Sequence, residues 1–148
     1  MKNRLTIYCP PPYENESLSS FIGRASQVYR MGAQPFYVGI GVTLMSASRA
    51  AYDVDYTPSE QLVEILSECV PDWRGYDVEH GGFRSWRLSH GNRNSYCHDC
   101  FEEDLRAGRT PYYRLDWGAA AVTTCWIHGT PLFTWQDVSP HGVRRIPY

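Results

Sequence analysis

The chain of 148 residues has 14 basic and 16 acidic side chains, a net charge of −2, 43% hydrophobic residues and 20% charged ones. That length suits one domain or two small lobes sharing a core, and the composition is ordinary for a soluble globular protein. The charge balance argues against a strongly basic nucleic-acid binder. The lack of a long apolar run and of a basic-then-apolar N-terminus argues against a membrane span and a secretory signal. A cytoplasmic protein that meets no membrane is the expectation, and the five cysteines suit a reducing compartment.

In chain order, residues 5–8 read as a β-like piece. Cys9-Pro10-Pro11-Pro12 follows, and its prolines forbid a helix and favour an extended arm. Over residues 17–30, Leu18, Phe21, Ile22, Ala25, Val28 and Tyr29 form one helical stripe. Asn15 or Ser17 is placed to cap this helix, Glu14 and Glu16 suit its positive end, and Met31-Gly32 supplies a stop. Arg24, Gln27 and Arg30 lie off the stripe, which makes Arg24 and Arg30 candidate partner contacts.

Residues 33–52 have no single reading. Gly39-Ile40-Gly41 interrupts an apolar run, and residues 44–52 suit a short helix. Helix, glycine-bearing turn and second helix together would make a helix-turn-helix, with Ser46, Ser48 and Arg49 as exposed candidates. A capping box, Thr57-Pro58-Ser59-Glu60, then predicts a helix that buries Leu62, Val63, Ile65, Leu66, Cys69 and Val70. From residue 80 to 93 the chain is rich in glycine, aromatics and arginine, with no acid after residue 80. This is either a plain connector or a nucleic-acid contact in which Arg84, Arg87 and Arg93 meet phosphates and Phe83 or Trp86 stacks.

The strongest signal comes next. Cys97-His98-Asp99-Cys100 and Cys125-Trp126-Ile127-His128 stand 24 residues apart. Each offers two ligands three positions apart, and three thiolates with one imidazole suit a closed, tetrahedral, structural Zn²⁺ site. A thioredoxin-type redox pair would need a strand and a βαβ pattern before Cys97, where the chain shows only Gly, Asn and Ser. Disulfides are disfavoured without a secretory signal. His98, lying between two ligands, should point outward, leaving His128 as the fourth ligand ahead of His98 or His141. Residues 101–107 read as a short acidic helix that Gly108 ends, and residues 119–122 as small packing against the metal shell. Pro131-Leu132-Phe133 closes the module.

The pattern therefore predicts a mainly α protein with a small zinc-binding α+β module. The expected layout is a helical, helix-turn-helix-like lobe (1–75), a basic connector (76–95), a zinc-finger module (96–135) and a polar tail (136–148). No Ser-His-Asp arrangement, P-loop or HExxH motif is present, and neither an enzyme nor a small-molecule binder is expected. Four stretches in fixed order carry a resemblance: PPYENESLSSFIGR (11–24), YCHDCFEED (96–104), YYRLDW (112–117) and TTCWIHG (123–129). They look like the TniQ family of transposon target-selection adaptors, including the short forms of CRISPR-associated transposons. The resemblance implies contact with an oligomer of the AAA+ ATPase TnsC, and with either target DNA or an RNA-guided Cas complex. Many members continue into a second cysteine-rich knuckle pair that this chain lacks, so contacts made there do not carry over. Two other functions fit parts of the pattern: a stand-alone DNA-binding protein, and a zinc-associated nuclease using His90.

Overall fold

Ser17 starts the first helix. Its side chain accepts the backbone N–H of Ser20, and α1 runs over Leu18–Val28 with Leu18, Phe21, Ile22 and Ala25 fully buried. The structure is a computed structural model that describes residues 7–42, 53–56, 58–70, 73, 86–88 and 92–134. A second helix, α2 (Ala33–Gly39), tolerates Pro35 because it lies in the first turn, where no intrahelical N–H is needed. The third, α3 (Glu60–Cys69), is capped by Ser59 accepting from the Leu62 N–H. The cap thus falls two residues later than Thr57, and Pro58 lies ahead of the helix rather than at its first position. The helix predicted over residues 44–52, and with it the expected helix-turn-helix, falls outside the described residues.

Apolar residues of these three helices meet in one core. Phe21, Leu62 and Leu66 are wholly buried within it, and Ile7, Phe36, Val54, Cys69 and Val70 complete it. Ile7 is held by its N–H on the Cys69 carbonyl (2.8 Å), which fastens the start of the proline arm to the end of α3.

The C-terminal module is built differently. Strand β1 (Ser95–Tyr96) pairs antiparallel with β2 (Phe133–Thr134), so that Tyr96 faces Phe133 across the pair. This two-residue strand does precede Cys97, contrary to the sequence reading, but it pairs antiparallel with a strand from the far end of the module and is not part of a βαβ unit. Helix α4 covers His98–Arg106 and therefore begins inside the first knuckle, three residues earlier than predicted. A 3₁₀ turn follows at Leu115–Gly118. Phe101 anchors the small aromatic core, stacked on Tyr96 (5.3 Å) with Tyr113 edge-on (5.5 Å) and Trp117 tilted (5.7 Å). Of the small residues predicted to pack here, Ala119 is buried, while Ala120 and Ala121 are exposed. No helix among the described residues is long and apolar enough to cross a membrane.

The two parts are joined by polar contacts. Backbone bonds run from Ser17 N–H to Tyr113 O and from Leu115 N–H to Asn15 O, both 2.8 Å. Tyr56 donates to the Leu115 carbonyl (2.7 Å), and burial pushes its hydroxyl up to about 12. Gly118 sits against this tyrosine so closely that an added Cβ would lie 2.6 Å from its hydroxyl oxygen.

Helix ends show where the chain is strained. After α1, Arg30 adopts the left-handed conformation (φ 55°), its N–H bonded to Gln27 O while the Met31 N–H reaches Ser26 O. After α4, Gly108 takes the same role at φ 69°. A non-glycine residue in that region costs about 1 kcal/mol. Gly108→Ala should therefore lower stability by about 1 kcal/mol in urea denaturation, whereas Arg30→Gly should raise it by about 0.5 kcal/mol.

Candidate metal centre

The first knuckle is a helix start. Cys97 is the N-cap of α4, and Cys100 lies one turn in, so both sulfurs sit near the helix's partial positive end. The second is a tight turn closed by Cys125 N–H to Thr130 O (2.8 Å) and Gly129 N–H to Cys125 O (2.7 Å). Sheet pairing of β1 with β2 and the Thr124–Pro131 bridge bring the two turns together.

Their donor atoms converge. Nδ1 of His128 lies 3.5, 3.4 and 3.6 Å from the sulfurs of Cys97, Cys100 and Cys125, and the Cys100 and Cys125 sulfurs are 3.6 Å apart. All four donors fall within 4.8 Å of one another. A tetrahedral ion with bonds of about 2.3 Å to sulfur and about 2.0 Å to nitrogen has donor–donor edges of about 3.5–3.8 Å. The cluster therefore fits a metal ion in both size and chemistry. The three cysteines are essentially inaccessible, and His128 is partly buried. His98 points away, half exposed and beside Glu102, as its position between two ligands predicted.

The donors also shape each other's ionisation. Burial opposes a charge on Cys97, but the Cys100 N–H and the Thr130 hydroxyl stabilise its thiolate and bring it to about 7. Burial pushes the Cys100 thiol up, against the pull of Arg114. A hydrogen bond to Glu103 lifts His128 to about 9. Glu103 Oε1 stands 2.9 Å from His128 Nε2. Thr130 Oγ1 is 3.7 Å from the Cys97 sulfur and 3.4 Å from Asp99.

Behind α4 lies a buried charge pair. Asp104 is fully enclosed and receives both guanidinium nitrogens of Arg114 (2.8 and 3.2 Å) and one of Arg109 (3.0 Å). Arg114 also lies over the rings of Tyr112 (3.9 Å) and Trp117 (5.0 Å), and its backbone bridges to Glu16 ahead of α1.

The TniQ family profile matches residues 7–132, which includes all four donors and both parts of the fold. The chain belongs to the TniQ family. This is a family of transposition-associated adaptors that work in complexes with other proteins and DNA. A comparison with curated proteins finds no match.

The other described candidate residues of this TniQ protein have separate surroundings. Arg24, predicted to lie on an exposed helix face, is 6% exposed and sits on Glu16 (2.7 Å) and the Pro11 carbonyl (3.1 Å), with its guanidinium over Tyr13 (4.2 Å). The proline arm and Glu16 fold back over that side of α1, which is the physical reason for the difference. Glu16 is thereby taken away from the helix N-terminus. Its place there goes to Asp55, which accepts the Ser19 N–H (2.7 Å) and hydroxyl (2.9 Å). Arg93 is likewise an internal strut, bonded to Asp53, near Asp55 and donating to Leu88 O (2.8 Å). Its carboxylate partners come from 40 residues upstream, so a local reading of residues 80–93 sees no counter-charge. Arg30 and Trp86 are exposed, and Arg87 is half-buried at 3.7 Å from Asp53. Arg49 and Arg84 lie outside the described residues.

A cleft of about 280 Å³ runs between the two parts, walled by Ser19, Asp55, Arg93, Ser95, Tyr113 and Trp117.

Two results follow for the module. Stripping the ion with a chelator should lower the melting temperature by about 10 °C or more, and Cys125→Ser should do the same. Loading should weaken as pH falls, because Cys97 and His128 must both give up their protons to bind. Separately, Asp104→Ala should cost about 3–5 kcal/mol in chemical denaturation, since Arg114 would remain buried without its counter-charge.

Proposed function

We propose that this protein is a non-catalytic transposition adaptor that joins a target-bound complex to an oligomer of the AAA+ ATPase TnsC, directing insertion to that target. The observation that carries this reading is the family match across residues 7–132 together with a four-donor metal cluster inside it. Four donors fill a tetrahedron and leave no position for an activated water, which fits a structural ion rather than a hydrolytic one. We take the ion to be Zn²⁺, as the Cys₃His donor set favours.

An adaptor needs separate faces on a body stiff enough to hold them in register. The metal supplies stiffness to the C-terminal module, and the Tyr56 bond to Leu115, the Arg93–Asp53 pair and the Glu16–Arg114 backbone bridge tie it to the helices. In this reading the N-terminal part, with α1 to α3, is the helix-turn-helix-like lobe expected from the sequence. The target mark is an RNA-guided Cas complex or the DNA itself. Arg93, one of the arginines considered for phosphates, is engaged internally, which weighs against direct DNA reading through it.

Co-sedimentation tests the reading. The purified chain should pellet with ATP-bound TnsC filaments from its own transposon, and should shift a naked DNA duplex weakly and without sequence preference. No co-sedimentation, with a sequence-specific and steeply salt-dependent shift instead, would replace the adaptor with a stand-alone DNA-binding protein.

A further inference from the structure

The metal donors leave one charged neighbour without a role: Glu103, on the exposed side of α4. We propose that Glu103 is a positioning residue for the metal centre, holding His128 in the tautomer and orientation that present Nδ1 to the ion.

The geometry has three parts. Cys100 and Glu103 are three residues apart on α4, so they project from neighbouring positions of one helix face. Cys100 delivers its sulfur to the cluster, while Glu103 places Oε1 2.9 Å from Nε2 of His128 on the opposite knuckle. The other ring nitrogen, Nδ1, is the atom that meets the sulfurs, at 3.4–3.6 Å. An imidazole has one proton to place when neutral, and a carboxylate at Nε2 keeps it there. Nδ1 is then left with its lone pair facing the thiolates. A carboxylate accepting from the far nitrogen of a metal-binding histidine also makes that imidazole a better donor.

Asp99, one turn before Glu103, reaches the same knuckle through Thr130 (3.4 Å). Helix α4 therefore grips the second turn at two places outside the donor set. The alternative is that Glu103 and His128 form an ordinary surface ion pair with no effect on ion affinity. Glu102 serves as the comparison, being on the same helix and similarly exposed, with His98 and Arg106 as its partners.

The inference rests on the metal reading, and one set of measurements separates the two. Zn²⁺ affinity is measured on the full chain by competition with a chromophoric chelator, for wild type, Glu103→Ala, Glu103→Gln and Glu102→Ala. Wild type should bind one ion, Glu103→Ala should bind about 10–100-fold more weakly, and Glu102→Ala should match wild type. Glu103→Gln retains an oxygen acceptor for Nε2–H and should recover most of the loss. Nitrogen-15 NMR of zinc-loaded wild type should show His128 protonated at Nε2. Wild-type affinity in Glu103→Ala, an equal loss in Gln and Ala, or a proton on Nδ1 would each overturn the positioning role. A wild-type chain that binds no ion would overturn the metal reading itself.

Discussion

Cys97, Cys100, Cys125 and His128 come from two turns separated by 24 residues, and their donor atoms lie within 4.8 Å of one another. Much of the C-terminal module depends on this convergence. Its two strands are only two residues each, and the buried cluster around the thiols adds Trp117 and a few aromatic edges. Apolar surface of that extent is too small to fix a module by itself, and small domains with weak cores commonly rely on a metal or disulfides. Three thiols packed together would repel as thiolates, so a cation in their midst turns an electrostatic cost into cohesion.

One ion pair, Arg93 with Asp53, then connects the module to the helical part, while Arg24 with Glu16 braces the helical part and Arg114 with Asp104 braces the module; each arginine also faces an aromatic ring. Such pairs add little net stability compared with well-packed apolar residues, but they penalise any arrangement that leaves one charge unpaired. The crossing pair therefore favours the one arrangement of the two parts in which both charges are matched. Among the described residues, Arg24, Arg93 and Arg114 are taken up by these internal partners.

The four-donor cluster was legible in the sequence because its chemistry is local: two residues three apart, twice over, with donors of the right softness. Helix α1 was legible for a similar reason, since its apolar stripe and Ser17 cap lie within a dozen residues of each other. Arg24 was misread because the counter-charge and the covering arm act through a fold-back that periodicity does not encode. Arg93 was misread because Asp53 and Asp55 arrive from a distant loop. The capping box at residues 57–60 shows a different limit: Thr57 and Ser59 are both residue types that cap, so sequence alone does not place the helix start, which the structure puts at Ser59. Glu103 left a faint trace, an acid one turn beyond the second cysteine of a knuckle, which gains meaning only when His128 is seen beside it.

X-ray absorption at the metal edge of the natively purified protein tests the central claim most directly, because it reports donor type, number and distance together. Three sulfur scatterers at about 2.3 Å and one nitrogen at about 2.0 Å around zinc are what the convergence of these side chains predicts. A shell of oxygen and nitrogen donors, fewer than three sulfurs, or a protein with no bound metal would contradict it.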